Sequence, residues 1–178
     1  DGLWEEYHYN GKLEIRRNYK EGQVLLWEEY RDNGQLKFKE NYNIEGESDG
    51  LQETYYDNGQ LKYKENWKND KEDGPWESYY DDGQLEKKGN YKDGIKDGLW
   101  EEYHDNGQLL TKGNYKDGKK DGLWEAFWDN GQLEFRENYK EGVLDGLAKD
   151  FDENGQIEFT SYYINGKKVK RKKYLKRK

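Results

Sequence analysis

The chain has 178 residues, 39% of them charged, with 31 Lys/Arg against 39 Asp/Glu and a formal net charge of −8. It has no Cys, which excludes disulfides and thiolate metal sites, and no apolar run near the roughly 18 residues a membrane-spanning helix needs. So charged a composition borders on disorder, but seven Trp and seventeen Tyr supply large buriable rings at even spacing and predict an ordered chain.

The spacing is a repeat. Asp1 opens a unit, and Asp49, Asp73, Asp97, Asp121 and Asp145 open others 24 residues apart. A diverged second unit, starting near residue 25, carries Trp27 where the others carry Trp4, Trp76, Trp100 and Trp124. The consensus reads D-G-L-W-E-x-Y-x-D-N-G-Q-L-x-x-K-x-N-Y-K-x-G. Each unit predicts one β-hairpin. Asn-Gly between two alternating runs (Asn10-Gly11, Asn33-Gly34, Asn58-Gly59, Asn106-Gly107, Asn130-Gly131, Asn154-Gly155, with Asp82-Gly83 in the fourth unit) predicts a two-residue type I′ turn. The Lys-Asp-Gly stretches between units predict longer, polar return loops. Pro75, the only proline, is expected at the first residue of a strand.

A two-residue turn sets the register. Tyr103 should face Leu110, Glu101 should face Lys112, and Trp100 should face Gly113. The same rule sets Glu5, Glu28, Glu53, Glu77 and Glu125 opposite Arg16, Lys39, Lys64, Lys88 and Arg136. In the last unit Lys149 meets Thr160 and the acid–base pattern stops. Alternation places Trp100, Leu109 and Tyr115 with their equivalents on one face, and Leu99, Tyr103, Asn114 and the Glu–Lys ladder on the other. The expected fold is all-β: an elongated, twisted, single-layer antiparallel meander of about 14 strands. The repeat array spans residues 1–166, followed by a basic tail or capping strand at 167–178.

The D-G-x-W, N-G-Q-L and N-Y-K-x-G pieces resemble the bacterial variant of the MORN repeat, in proteins described as YwqK-family antitoxin-like. The resemblance covers residues 1–166. It implies a single-layer sheet and roles in protein–protein contact, membrane-lipid association, or antitoxin and immunity activity. Kinases that carry such repeats hold their chemistry elsewhere, and this chain has no Gly-rich phosphate loop and no catalytic Asp–Asn constellation.

Catalysis is not expected, and neither is a cofactor. His8 and His104 are four units apart, about 38 Å at roughly 4.8 Å per strand, too far to share a metal. Ser48, Ser78 and Ser161 have no adjacent base. The Asp-rich loops are interrupted by Lys and suit turns better than Ca²⁺. The candidate contact strip is aromatic: Trp76, Trp100, Trp124, Trp128, Tyr56 and Tyr80. The second candidate is the tail. Residues 167–178 (KKVKRKKYLKRK) carry nine bases and no acid, leaving 22 bases against 39 acids in the body. Lys170, Arg171, Lys172, Lys173, Lys176 and Arg177 are the residues expected to meet an anionic surface. The acidic body disfavours nucleic acid as a partner. The first reading is therefore a non-catalytic protein-binding scaffold of antitoxin or immunity type, and the alternative is a peripheral membrane or envelope protein. The unpaired edge of strand Leu3–His8 also allows edge-to-edge self-association. The sequence has no Met, even at position 1, and is expected to be a fragment or processed form. That leaves two locations open: the bacterial cytoplasm, or the envelope if a signal peptide has been removed.

Overall fold

The computed structural model describes residues 1–169, and the chain divides into two compact units, Asp1–Asp97 and Gly98–Lys178. The first holds β1 (Gly2–Tyr7), β2 (Leu13–Lys20), β3 (Gln23–Tyr30), β4 (Leu36–Asn41), β5 (Gly50–Tyr55), β6 (Leu61–Lys68), β7 (Lys71–Tyr79) and β8 (Leu85–Lys92). β9 (Ile95–Tyr103) begins at its end and runs into the second. The second continues with β10 (Leu109–Lys116), β11 (Lys119–Phe127), β12 (Leu133–Lys140), β13 (Val143–Leu144), β14 (Gly146–Phe151), β15 (Ile157–Ile164) and β16 (Lys167–Lys168). The fold is an all-β antiparallel meander in chain order, open rather than closed into a barrel among the described residues. Among the described residues it has 16 strands rather than about 14, because the last unit adds two short ones, β13 and β16.

The acid–base register is as the sequence predicts. Glu5 pairs with Arg16, Glu28 with Lys39, Glu53 with Lys64, Glu77 with Lys88, Glu101 with Lys112 and Glu125 with Arg136. Lys149 pairs with Thr160. The row also continues between hairpins, where Arg16 meets Glu28, Lys39 meets Glu53, Lys64 meets Glu77 and Lys112 meets Glu125. Glu28, Glu53, Glu77 and Glu125 therefore each lie between two bases.

The turns reverse the expectation. At Asn-Gly the asparagine keeps negative φ and only the glycine is left-handed (Gly107 at φ 78°). His104 O accepts from Gly107 N at 2.9 Å and His104 N donates to Gln108 O at 2.8 Å. This is a type I turn closed by a left-handed glycine, with a bulge in the following strand. The bulge puts Leu109, not Leu110, opposite Tyr103, and so on the ladder face rather than beside Trp100. The two-residue turns lie instead at the returns, which are tight rather than long except between Tyr42 and Ser48. Lys116 is followed by Asp117 at φ 50° and Gly118 at φ 72°, and β11 begins at once. Both central residues are left-handed there, as type I′ requires.

A second irregularity follows each return, at the Asp-Gly that opens the unit. The register slips between Asn18 and Tyr19, Glu65 and Trp67, and Gly113 and Asn114. Asparagine side chains span the gap: Asn66 Nδ2 donates to Pro75 O and Asn138 Nδ2 to Leu147 O, each at 2.8 Å. Pro75 consequently sits inside β7, not at its start. The slip frees its position from pairing on the β6 side, where a missing N–H would otherwise break the ladder.

Candidate functional site: the aromatic rows and the turn ladder

The tryptophan row is built by one rule. Trp27, Trp76 and Trp124 each lie over the residue that the preceding strand places opposite, Arg17, Glu65 and Gly113. Trp124 faces Gly113, and a Cβ there would come within 2.2 Å of the indole. With no side chain in the way, the indole lies against the strand and its Nε1 donates to Asn114 O at 3.1 Å. Tyr115 and Tyr139 close on it edge to face at 5.2 and 6.4 Å. Lys120 Nζ stands 4.0 Å from its ring centre. Trp124 is therefore 5% exposed, and Trp100, with Tyr115 against it at 6.0 Å, is 3% exposed. Where the opposing residue has a side chain, the indole stands higher. Trp27 shares Arg17 with Trp4, at 4.3 and 5.3 Å from the guanidinium, and Trp76 donates to Glu65 at 3.1 Å. Both Trp27 and Trp76 are half-buried, and Trp4 is exposed.

Tyr56 and Trp128, also on the candidate strip, act at the turns. Tyr56 donates its hydroxyl to Tyr79 O at 2.8 Å, and Trp128 donates Nε1 to Phe151 O at 3.4 Å. His8 and His104 hold the same place, each with Nε2 at 2.9 Å from a carbonyl, Tyr30 O and Phe127 O. A carbonyl only accepts, so each Nε2 carries the hydrogen. Arg31 reaches Tyr55 O in the same way at 2.8 Å. Tyr80 occupies this position in its own repeat and is half-buried. The position before Asp-Asn-Gly thus needs a long donor more than an aromatic ring.

Asparagine and glutamine complete the ladder of turns. Asn106 Oδ1 accepts from Gln108 N and its Nδ2 donates to Asp129 O in the next repeat, both at 2.9 Å. Gln108 then packs over Gly131, where a Cβ would meet its Oε1 at 2.5 Å. The N-G-Q triplet is therefore a connector between repeats as well as a turn. The last turn differs. Asp152 stands where the donor should be, and its Oδ1 accepts from Asn154 N and Gln156 N at 3.0 and 2.8 Å.

On the opposite face a ladder glutamate is held by the tyrosine two residues on, except Glu125, which is followed there by Phe127. Tyr30, Tyr79 and Tyr103 donate to Glu28, Glu77 and Glu101 at 2.9, 2.6 and 3.0 Å. Burial, with the adjacent carboxylates, pushes the pKa of Tyr30, Tyr55 and Tyr79 up to about 12. Glu125 is the most enclosed acid, between Lys112 at 3.1 Å and Arg136 at 2.5 Å. Burial alone would raise its pKa, but hydrogen bonds from those two bases outweigh it and the carboxyl lies below its usual value.

The accessible apolar row in the second unit is one that the sequence reading left out. Leu99, Leu123 and Leu147 are 51%, 43% and 40% exposed, beside tryptophans that are sealed. The legible signal was the glycine opposite Trp124, which lets that ring sink. Lys170, Arg171, Lys172, Lys173, Lys176 and Arg177 lie outside the described residues. Lys167 and Lys168 pair with Ile164 and Tyr163, so residues 167–168 extend the sheet.

Seven consecutive segments match the MORN repeat variant model: residues 1–21, 23–43, 48–69, 72–93, 96–117, 120–141 and 144–165. The chain belongs to the MORN repeat variant family. A comparison with curated proteins returns no match. The matched segments coincide with the hairpins and their return turns. MORN repeats are non-catalytic interaction modules, and this stretch is one. Among the described residues no group of three or more His, Cys, Asp or Glu could hold a metal ion, and no helix is long and apolar enough to cross a membrane.

Proposed function

We propose that this MORN array binds a partner protein through the leucine row of its second unit, in the manner of an antitoxin or immunity protein that masks its target. The observation that carries this reading is the contrast within one unit. Trp100 and Trp124 are sealed, while Leu99, Leu123 and Leu147 stay open. Leu123 is two residues from Glu125 on the same face, so the row is edged by the charged ladder, and apolar centres with polar rims are what interfaces use. The ladder is largely satisfied internally. It supplies solubility and rim contacts and leaves the leucines to supply the area. The test is capture from a lysate of the organism that encodes the chain, followed by titration of the recovered protein against wild type and a Leu99→Asp/Leu123→Asp variant. At least a tenfold loss of affinity, about 1.4 kcal/mol, is expected. Equal affinity for both would refute the leucine row as the contact.

The composition of residues 167–178, nine bases and no acid, favours a second reading: attachment to anionic lipid. Deleting residues 170–178 should abolish sedimentation with phosphatidylserine vesicles at low salt, and unchanged sedimentation would dismiss it.

A further inference from the structure

The Asn-Gly hairpin turns differ in what holds the asparagine side chain. In the internal turns both ends of the amide are tied. Asn10, Asn106 and Asn130 donate Nδ2 to a carbonyl of the next repeat, Asp32 O, Asp129 O and Glu153 O, at 2.7, 2.9 and 3.0 Å. Asn58 donates in the same way to Asp81 O. Asn33 donates instead to Gln35 Oε1, at 2.8 Å. In all of these the Oδ1 accepts from the main-chain amide two residues on, at 2.8 to 3.0 Å. The side-chain carbon Cγ is therefore fixed by two bonds.

In the last turn neither bond is made among the described residues. Asp152 Oδ1 takes the amide of Gln156 at 2.8 Å, the amide that an internal asparagine would hold. Asn154 is exposed, and its side chain has no hydrogen bond there. The glycine side is unchanged. Gly155 N donates within its own turn to Asp152 O at 2.9 Å, as Gly107 N does to His104 O. Gln132 lies over Gly155 as Gln108 lies over Gly131. Asn165-Gly166, at a return, is held differently. Asn165 is left-handed at φ 48°, which turns the following nitrogen away from its side chain, and Gly166 N is tied to Leu144 O of another strand at 2.8 Å. Only Asn154 combines a free side chain with a glycine amide bound solely within its own turn, among the described residues.

We propose that Asn154 is a site of spontaneous deamidation, through a cyclic imide formed with Gly155. Gly155 N gives its proton to hydroxide and attacks Asn154 Cγ. The N–Cγ bond forms, the Cγ–Nδ2 bond breaks, and Nδ2 leaves as ammonia with a proton from water. Water then opens either imide C–N bond, giving aspartate or, where the main-chain carbonyl is released, isoaspartate. One water is consumed and one ammonia is lost. Glycine puts no side chain in the way of its own nitrogen. Attack needs the turn to open, and at the internal turns opening must also break two side-chain bonds. At Asn154 it breaks none, so the repeat that ends the ladder is the one that ages. Either product places a new carboxylate beside Asp152 and Glu153. The iso form adds a methylene to the main chain in the turn that joins β14 to β15.

The test incubates the full folded chain in mildly alkaline buffer and maps it by mass spectrometry over time. Fragmentation separates Asn154 from Asn165, and aspartate from isoaspartate. Asn154 should convert about tenfold faster than Asn106 and Asn130, the factor that the loss of two hydrogen bonds permits. In concentrated urea, where no turn is held, the same Asn-Gly pairs should convert at similar rates. Asn154→Gln should remove the conversion at that turn and leave the slow conversion at Asn106 as it is. Equal rates at Asn154 and Asn106 in the folded chain, faster conversion at Asn165 than at Asn154, or a ranking that persists in urea would each overturn the proposal. No partner protein enters the measurement, so its outcome is independent of the leucine row.

Discussion

Trp124 and Trp76 hold the same place in two repeats and behave differently. Trp124 lies over Gly113, is sealed, and bonds to main chain, whereas Trp76 stands over Glu65, is half-exposed, and bonds to a carboxylate. A single-layer sheet has no second layer to cover its rings, so the residue on the adjoining strand decides whether a tryptophan is core or surface. The same family consensus therefore builds a sealed ring in one repeat and a half-buried one in another.

The largest effect should come from the sealed ring. Trp124→Ala should cost about 3–5 kcal/mol of the second unit's stability in urea, against about 1 kcal/mol for the exposed Trp4→Ala in the first. Gly113→Ala should approach the Trp124→Ala value, since its methyl must displace the indole. Comparable losses at Trp4 and Trp124 would break the comparison.

The two glutamates that differ most in surroundings come next. Glu125→Gln should cost about 2 kcal/mol at pH 7, less than a fully enclosed pair because its two bases remain partly solvated. Its folded pKa is lowered, so its stabilisation is present above the unfolded value of 4.5 and is lost as pH falls through the folded value. Glu72 has the opposite sign. Burial and Glu65 raise its pKa, so its ionisation opposes folding, an effect that sets in as pH rises above 4.5 and is complete above the folded value. Glu72→Gln should raise the melting temperature at pH 7 and lose that advantage below pH 4.5. Melting curves at the two pH values that moved in parallel for both variants would contradict the assignment.

The smallest effect separates an internal turn from the terminal one. Asn106→Ala removes a link to Asp129 as well as a local bond, and should cost about 1–2 kcal/mol. Asn154→Ala should cost a few tenths, because Asp152 already binds the amides of that turn. Equal losses in denaturant titrations would show that the ladder between turns contributes nothing.

Much of this was legible one residue at a time. The glutamate–base register was readable because a charge mismatch at any one-residue slip would be repeated in every unit. The turns were misjudged for a local reason. Asn-Gly considered alone favours type I′, and nothing inside one hairpin reveals that Asn106 must also reach Asp129. The aromatic strip was found as residues but not as surface, since exposure depends on what the neighbouring strand presents. The leucine row escaped notice because a leucine beside a tryptophan suggests core.

The sequence by itself determined the repeat, the antiparallel pairing and the acid–base ladder, because all of these follow from periodicity and residue chemistry along one strand pair. Only the tertiary structure decided which turn is which and which rings are sealed. Those depend on contacts between repeats, where a side chain's partner lies some 20 residues away and its space is set by the residue across the sheet rather than by its neighbours in the chain.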